Sequence, residues 1–192
     1  MGTLQSLQII GFLLCLSMMD IKGEEESVPT LTRDAWAYDT DILASCDFND
    51  NLNPFCNWKQ SCSSSFGSWI RSRGGTPTLR TGPEGDYPDG KGYFIYQEAS
   101  NLLPFDTTTL ESQELVVSGE ICIDFWYHMS GSEDSNELKV VVLTDEDEFM
   151  LWHQKGGQSS DWLHESISVH FLRERDIQQG ESTTFRWNFF HC

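Results

Sequence analysis

Ile121-Cys122-Ile123-Asp124-Phe125-Trp126-Tyr127-His128-Met129 is the stretch on which the fold turns. Successive side chains of an extended chain point to opposite sides, so Ile121, Ile123, Phe125, Tyr127 and Met129 share one face. Cys122, Asp124, Trp126 and His128 share the other. A strand of this kind buries its first face fully and its second in part.

The neighbouring runs read the same way. Leu138 to Leu143 is nearly continuous in apolar residues, as expected of a central strand, and Asp145-Glu146-Asp147-Glu148 separates it from Phe149-Met150-Leu151-Trp152. That pattern predicts a hairpin with an acidic tip. Ser68 to Arg71, Tyr93 to Tyr96, Glu114 to Val117 and Trp162 to Phe171 add further strands. All are rich in β-branched and aromatic residues and are bounded by Gly, Pro, Asn and Asp clusters. No segment keeps the apolar spacing of a helix over a helix's length. The expected fold class is therefore all-β, with about seven strands packed as an antiparallel sandwich, because two sheets bury aromatic strand faces against each other.

Outside this core the chain changes character. Leu7 to Met19 is apolar and too short to span a bilayer, which takes ~17–25 residues. With Gly23 as a small residue at the cut, it fits the core of a signal peptide over residues 1–23, although the usual basic leading segment is missing. Residues 24–45 open with Glu24-Glu25-Glu26, show neither periodicity, and are expected to be a flexible acidic leader. No second run of spanning length follows, so no transmembrane segment is expected. The chain carries 30 acidic residues against 12 Lys and Arg, a formal charge of −18, and removal of residues 1–23 leaves 29 and 11, still −18. A field of that sign repels phosphate backbones, so no nucleic acid is expected and heparin is a poor partner. There is no Asn-x-Ser/Thr triplet, so solubility on a secretory route falls to charge rather than N-glycans.

The ordered motifs resemble the MAM domain, an extracellular module found in meprins, neuropilins and receptor-type tyrosine phosphatases. Cys46-Asp47-Phe48 followed by Cys56-Asn57-Trp58 is similar to the family's opening, and Trp69 to the Trp of the next strand. Gly82-Pro83-Glu84-Gly85-Asp86-Tyr87 with Gly90-Lys91-Gly92-Tyr93 resembles its next loop. Cys122-Ile123-Asp124-Phe125-Trp126-Tyr127-His128-Met129-Ser130-Gly131 is the most specific piece, and Leu151-Trp152, Gly156-Gly157-Gln158 and Trp162 continue the match. The resemblance implies a jelly-roll-like β-sandwich over residues 46–170 that recognises or adheres to extracellular proteins. Two departures stand out. Asn49 occupies the position of a usual Glu, and residues 171–192 form a divergent tail without the family's closing segment, leaving the last strands open.

Five cysteines follow residue 23, so at least one lacks an intramolecular disulfide partner. Cys46 and Cys56 enclose a short loop, and such a closure contributes ~2–3 kcal/mol. The resemblance implies a second pair, Cys122 with Cys192, which leaves Cys62 as a thiol or as the link of a disulfide-linked dimer. Catalysis finds no support: His-Glu-x-x-His, the Gly-x-Ser-x-Gly elbow and a phosphate-cradling Gly loop are all missing, and His164 and His170 stand too far apart on one strand to grip one metal. The chain is expected to be no enzyme and to need no cofactor. Asp47-Phe48-Asn49-Asp50-Asn51 is rich in oxygen donors, but Leu52 and Trp58 exclude the helical calcium loop. A structural calcium on Asp47 and Asp86 is the alternative the resemblance supplies, against a solvated turn. Arg71, Arg73 and Arg80 form a basic patch whose expected role is relief of acidic crowding. Two functions compete: an interaction module that docks on another extracellular protein or on itself, and a carbohydrate or small-ligand binder, which clustered exposed Trp side chains would favour.

Overall fold

A computed structural model describes residues 6–17, 40–62, 67–78, 81–98, 102–117, 119–131, 136–144, 147–171 and 181–191, with the backbone alone along 6–17, 40–41, 181–183 and 187–191. The described residues contain no helix. They form twelve strands: β1 (Ser6–Ser17), β2 (Thr40–Cys46), β3 (Lys59–Cys62), β4 (Ile70–Ser72), β5 (Phe94–Glu98), β6 (Thr107–Glu111), β7 (Leu115–Val117), β8 (Gly119–Met129), β9 (Asn136–Leu143), β10 (Glu148–Lys155), β11 (Leu163–Phe171) and β12 (Glu181–His191).

Two six-stranded antiparallel sheets result. The first runs β11-β8-β1-β5-β4 with β2 beside β1, and the second runs β10-β9-β12-β6-β3 with β7 beside β12. β8 behaves as its alternation dictates: Ile121, Ile123, Phe125, Tyr127 and Met129 are all at most 4% exposed. They meet Leu110, Leu138, Val140, Val142 and Phe185 of the opposite sheet in one apolar cluster. β9 is central, paired with β10 on one side and β12 on the other, and Leu143 stands opposite Glu148 across the acidic-tipped hairpin. At the β10 and β11 margin, Trp152 turns inward against Phe125 and Tyr127, with ring centroids 5.2 and 5.0 Å away. Its Nε1 donates to Glu165 Oε2 at 2.9 Å, tying the two sheets together where they would otherwise gape. Burial pushes the Tyr127 hydroxyl up from its ordinary pKa, and the Glu165 charge adds to the effect.

The strand count differs from the sequence expectation, and each difference has a physical source. β2 lies in the stretch read as flexible leader, and its hydrogen bonds go to β1, far back in the chain. β3 and β6 are rich in Ser, Thr and Lys, and they become strands because β6 pairs on both sides and buries Thr108 and Leu110 completely. β12 lies in the divergent tail. It pairs with β9 from Thr184 to His191 and with β6 from Arg186 to Phe190, and Phe185 is fully buried. β1 comprises the apolar core of the expected signal peptide. It pairs with β8 from Leu7 to Ser17, and its other edge is shared by β5 (Ser6–Ile9) and β2 (Phe12–Ser17).

Candidate binding surface

The opening segment is a built corner rather than a plain turn. Phe48, Cys56 and Asn57 hold φ values of 58°, 50° and 68°, which cost side-chain-bearing residues ~1–3 kcal/mol each. Two features offset that cost. Phe48 is fully buried with its ring 6.2 Å from Phe55, and Cys46 is bonded to Cys56 with their Cα atoms 5.6 Å apart. Arg71 of β4 then fastens the corner to the first sheet. Its Nε donates to Phe48 O at 2.6 Å, its Nη2 to Asn51 Oδ1 at 3.0 Å, and its guanidinium lies 3.5 Å from the Tyr93 ring centroid. Arg73 donates to Lys91 O and flanks the same ring, so these two arginines are structural clasps. Arg80 lies outside the described residues.

Beside this corner the oxygen donors converge in part. Asp86 is buried and its Oδ1 has no hydrogen-bond partner, a costly arrangement for a carboxylate. Gly92 leaves the room: a Cβ there would come 2.9 Å from Asn49 Oδ1 and would overlap Asp86 Oδ2. Asn49 and Asp86 therefore face one small space, with Asn49 Oδ1 also accepting from the Tyr93 N–H at 2.9 Å. Asp47 is exposed and spends Oδ1 on the Asn49 N–H at 2.9 Å. A hard cation would suit Asp86 and the Asn49 amide oxygen. Asn49, which stands at the position of a usual Glu, is thus a member of the cluster, while Asp47 supports it from behind. Among the described residues no three His, Cys, Asp or Glu side chains gather as a metal site.

The outer face of β8 carries an aromatic cover. Tyr87 stacks on Trp126 with centroids 3.6 Å apart, and Trp126 leans on His164 at 4.7 Å. His164 Nε2 donates to both Asp124 oxygens, at 3.0 and 2.9 Å, which binds β11 to β8 across their outer surface. His170, on the same strand, is exposed. Trp162 fills the gap between Phe94, 5.9 Å away, and His128, 5.6 Å away, while its Nε1 donates to Gly85 O at 3.1 Å. His128 is buried beneath it, and its Nε2 lies 3.0 Å from Ser160 O, an atom that can only accept, so that nitrogen carries the proton. Burial holds the His128 pKa below its ordinary value, against opposing effects of the Ser160 carbonyl and Asp161. None of the five tryptophans whose side chains are described is exposed, so the clustering that would favour a sugar platform is not found among them.

The remaining cysteines divide. Cys122 is disulfide-bonded, and in the β1–β8 register its Cα partner is Cys15. Cys192 lies outside the described residues. Cys62 keeps its thiol. It ends the edge strand β3 half-buried, with Sγ 3.6 Å from Thr108 Oγ1. Among the described residues no helix is long and apolar enough to cross a membrane.

Comparison with known proteins agrees with this geometry. A family model described as "MAM domain, meprin/A5/mu" matches residues 46–179. The chain is 37% identical over 147 residues to human MAM domain-containing protein 2, covering 70% of this chain and 21% of that protein. It is 33% identical over 131 residues to zonadhesin of Mus musculus, covering 67% of this chain and 2% of the relative. Neuropilin-1a of Danio rerio is 36% identical over 132 residues, with coverages of 65% and 14%. The chain thus spans a quarter or less of each of these relatives.

Proposed function

This chain belongs to the MAM family, and on that premise we propose that it is a secreted, non-catalytic module that recognises another extracellular protein, released after loss of residues 1–23. The observation that carries the reading is the match over residues 46–179. The β-sandwich supports it: polar side chains such as Arg71 in its clasp and the His164–Asp124 pair hold loops and strands in place. Such a surface acts by complementarity of strand edges and loops, not by turnover. The net charge of −18 favours partners with neutral or basic surfaces. In the same reading a structural cation sits on Asp86 and Asn49, with Asp47 behind them, and steadies the corner. Cys62 is the thiol through which a disulfide-linked dimer would form.

The test is expression of the full coding chain in a secreting cell, followed by N-terminal sequencing of the protein in the medium. Material beginning near Glu24 is expected. Extracellular protein that still starts at Met1, or retention inside the cell, would overturn the reading.

A further inference from the structure

We infer that the sheet position held by Ser6–Ser17 becomes, in the secreted protein, a receptor slot for an extended, uncharged, aliphatic segment of a different polypeptide, which adds a strand antiparallel to β8. This rests on the secreted reading above, because loss of residues 1–23 removes β1 from the first sheet.

β1 is paired along both edges: ten of its residues face β8, and the opposite edge is divided between β5 and β2. Strands lie about 4.8 Å apart, so removing one leaves an opening of roughly 10 Å between its neighbours. Along that opening the inward-facing N–H and C=O groups of β8 lose their partners over a strand whose Ile121, Ile123 and Phe125 are fully buried. Backbone groups left so are costly, and a single added strand satisfies them on both sides at once.

Apart from β2, whose one strand partner is β1, the walls of the slot are held without help from β1. On one side β8 and β11 form a paired unit, locked by His164 and Asp124. On the other, β5 pairs with β4, and Arg71 of β4 ties in the corner that follows β2 through Phe48 O. Two bridges pass between these walls. Trp162 packs on Phe94 of β5 and on His128 of β8, and Tyr87, in the loop leading to β5, stacks on Trp126 of β8. The opening is therefore spanned and fixed in width by side chains that remain after residues 1–23 are gone.

The chemistry of the occupant is written in β1. Leu7 to Leu16 contains no charged residue. Within residues 24–192, Glu24-Glu25-Glu26, Arg33, Asp34 and Asp39 charge the leader, and the apolar runs belong to paired strands except that of β2, whose seven residues include Asp41 and are too few for the ten positions along β8. A second copy brings the same strands and a charge of −18 against −18, so the segment comes from another protein with neutral or basic flanks. Main-chain hydrogen bonds would supply affinity and alternate side chains specificity, the physics of strand addition.

The probe is a synthetic peptide with the sequence of Ser6–Ser17, carrying Cys15→Ser and flanking lysines. Two controls carry the same lysines: a scrambled peptide, and one with Ile10→Pro, which removes a strand N–H opposite Trp126. The secreted protein is first sequenced at its N-terminus, and hydrogen exchange is then followed in segments 94–98 and 119–129. The probe should slow exchange in both segments about tenfold or more, and neither control should. A protein that begins near Glu24 but shows protected, unresponsive amides in 119–129 would overturn the slot and leave secretion standing. Chromatography with light scattering then tells closure within the monomer from closure by a second copy. Protein that retains residues 1–23 would overturn both, since the slot is then filled in cis.

Discussion

Phe185→Ala is the perturbation that asks most directly whether the divergent tail belongs to the fold. Phe185 is fully buried, lies in the same apolar cluster as Phe125 and Leu110, and sits in the strand between β9 and β6. Truncating a buried Phe to Ala costs ~3–5 kcal/mol, the lost transfer energy plus the cavity left behind. For a domain of this size 1 kcal/mol moves Tm by roughly 2–4 °C, so the variant should melt about 6–20 °C lower. A companion variant attacks the same strand through its backbone. Ser112 Oγ accepts from the buried Phe185 N–H at 3.0 Å, while the Ser112 N–H donates to Phe185 O at 2.9 Å. Ser112→Ala leaves the Phe185 N–H without that acceptor and should cost ~1–3 kcal/mol. The two changes touch one residue pair, so their effects should not add. The assay is urea and thermal unfolding of the secreted protein, followed by tryptophan fluorescence. If both variants unfold within ~0.5 kcal/mol of the parent, β12 contributes nothing and the account of the second sheet is wrong.

Three further outcomes are expected. Replacing Cys46 and Cys56 together by Ala should cost ~2–3 kcal/mol of loop-closure stability, measured by urea midpoint, and an unchanged midpoint would show that the corner holds without its bond. His128 is buried with its pKa held down, so between that lowered value and the ordinary value near ~6.5 the unfolded chain binds a proton that the folded chain refuses, and stability should fall as pH drops through this window. His128→Gln should flatten that slope in denaturant titrations from about pH 7 to 5, and an unchanged slope would place the titration elsewhere. On gels without reductant the secreted protein should show a dimer band that Cys62→Ser abolishes, and a monomer in both lanes, with peptide mapping that joins Cys62 to another cysteine of the same chain, would refute the intermolecular link.

What the residues alone determined was local. Alternation along Ile121 to Met129 set which side chains enter the core, because strand period is a property of the backbone and needs no partner to be read. The acidic-tipped hairpin of Leu138 to Lys155 followed from neighbouring runs, and the closeness of Cys46 to Cys56 from their short separation. The tail carried the same alternation, with Phe185, Trp187 and Phe189 set against Arg186 and Asn188, and the missing family motif concealed it. What only the tertiary structure decided was partnership between distant segments. Polar β3 and β6 become strands through pairing and burial, which propensity does not encode. Asn49 and Asp86 meet at Gly92 because the loop after residue 82 folds back on the corner, and Tyr87 finds Trp126 for the same reason. The placement of Ser6–Ser17 between β8 and β5 is the plainest case. Its composition suits a signal core and a sheet strand alike, since both demand uncharged aliphatic residues, and only the register across three distant strands gives it a place in the sheet.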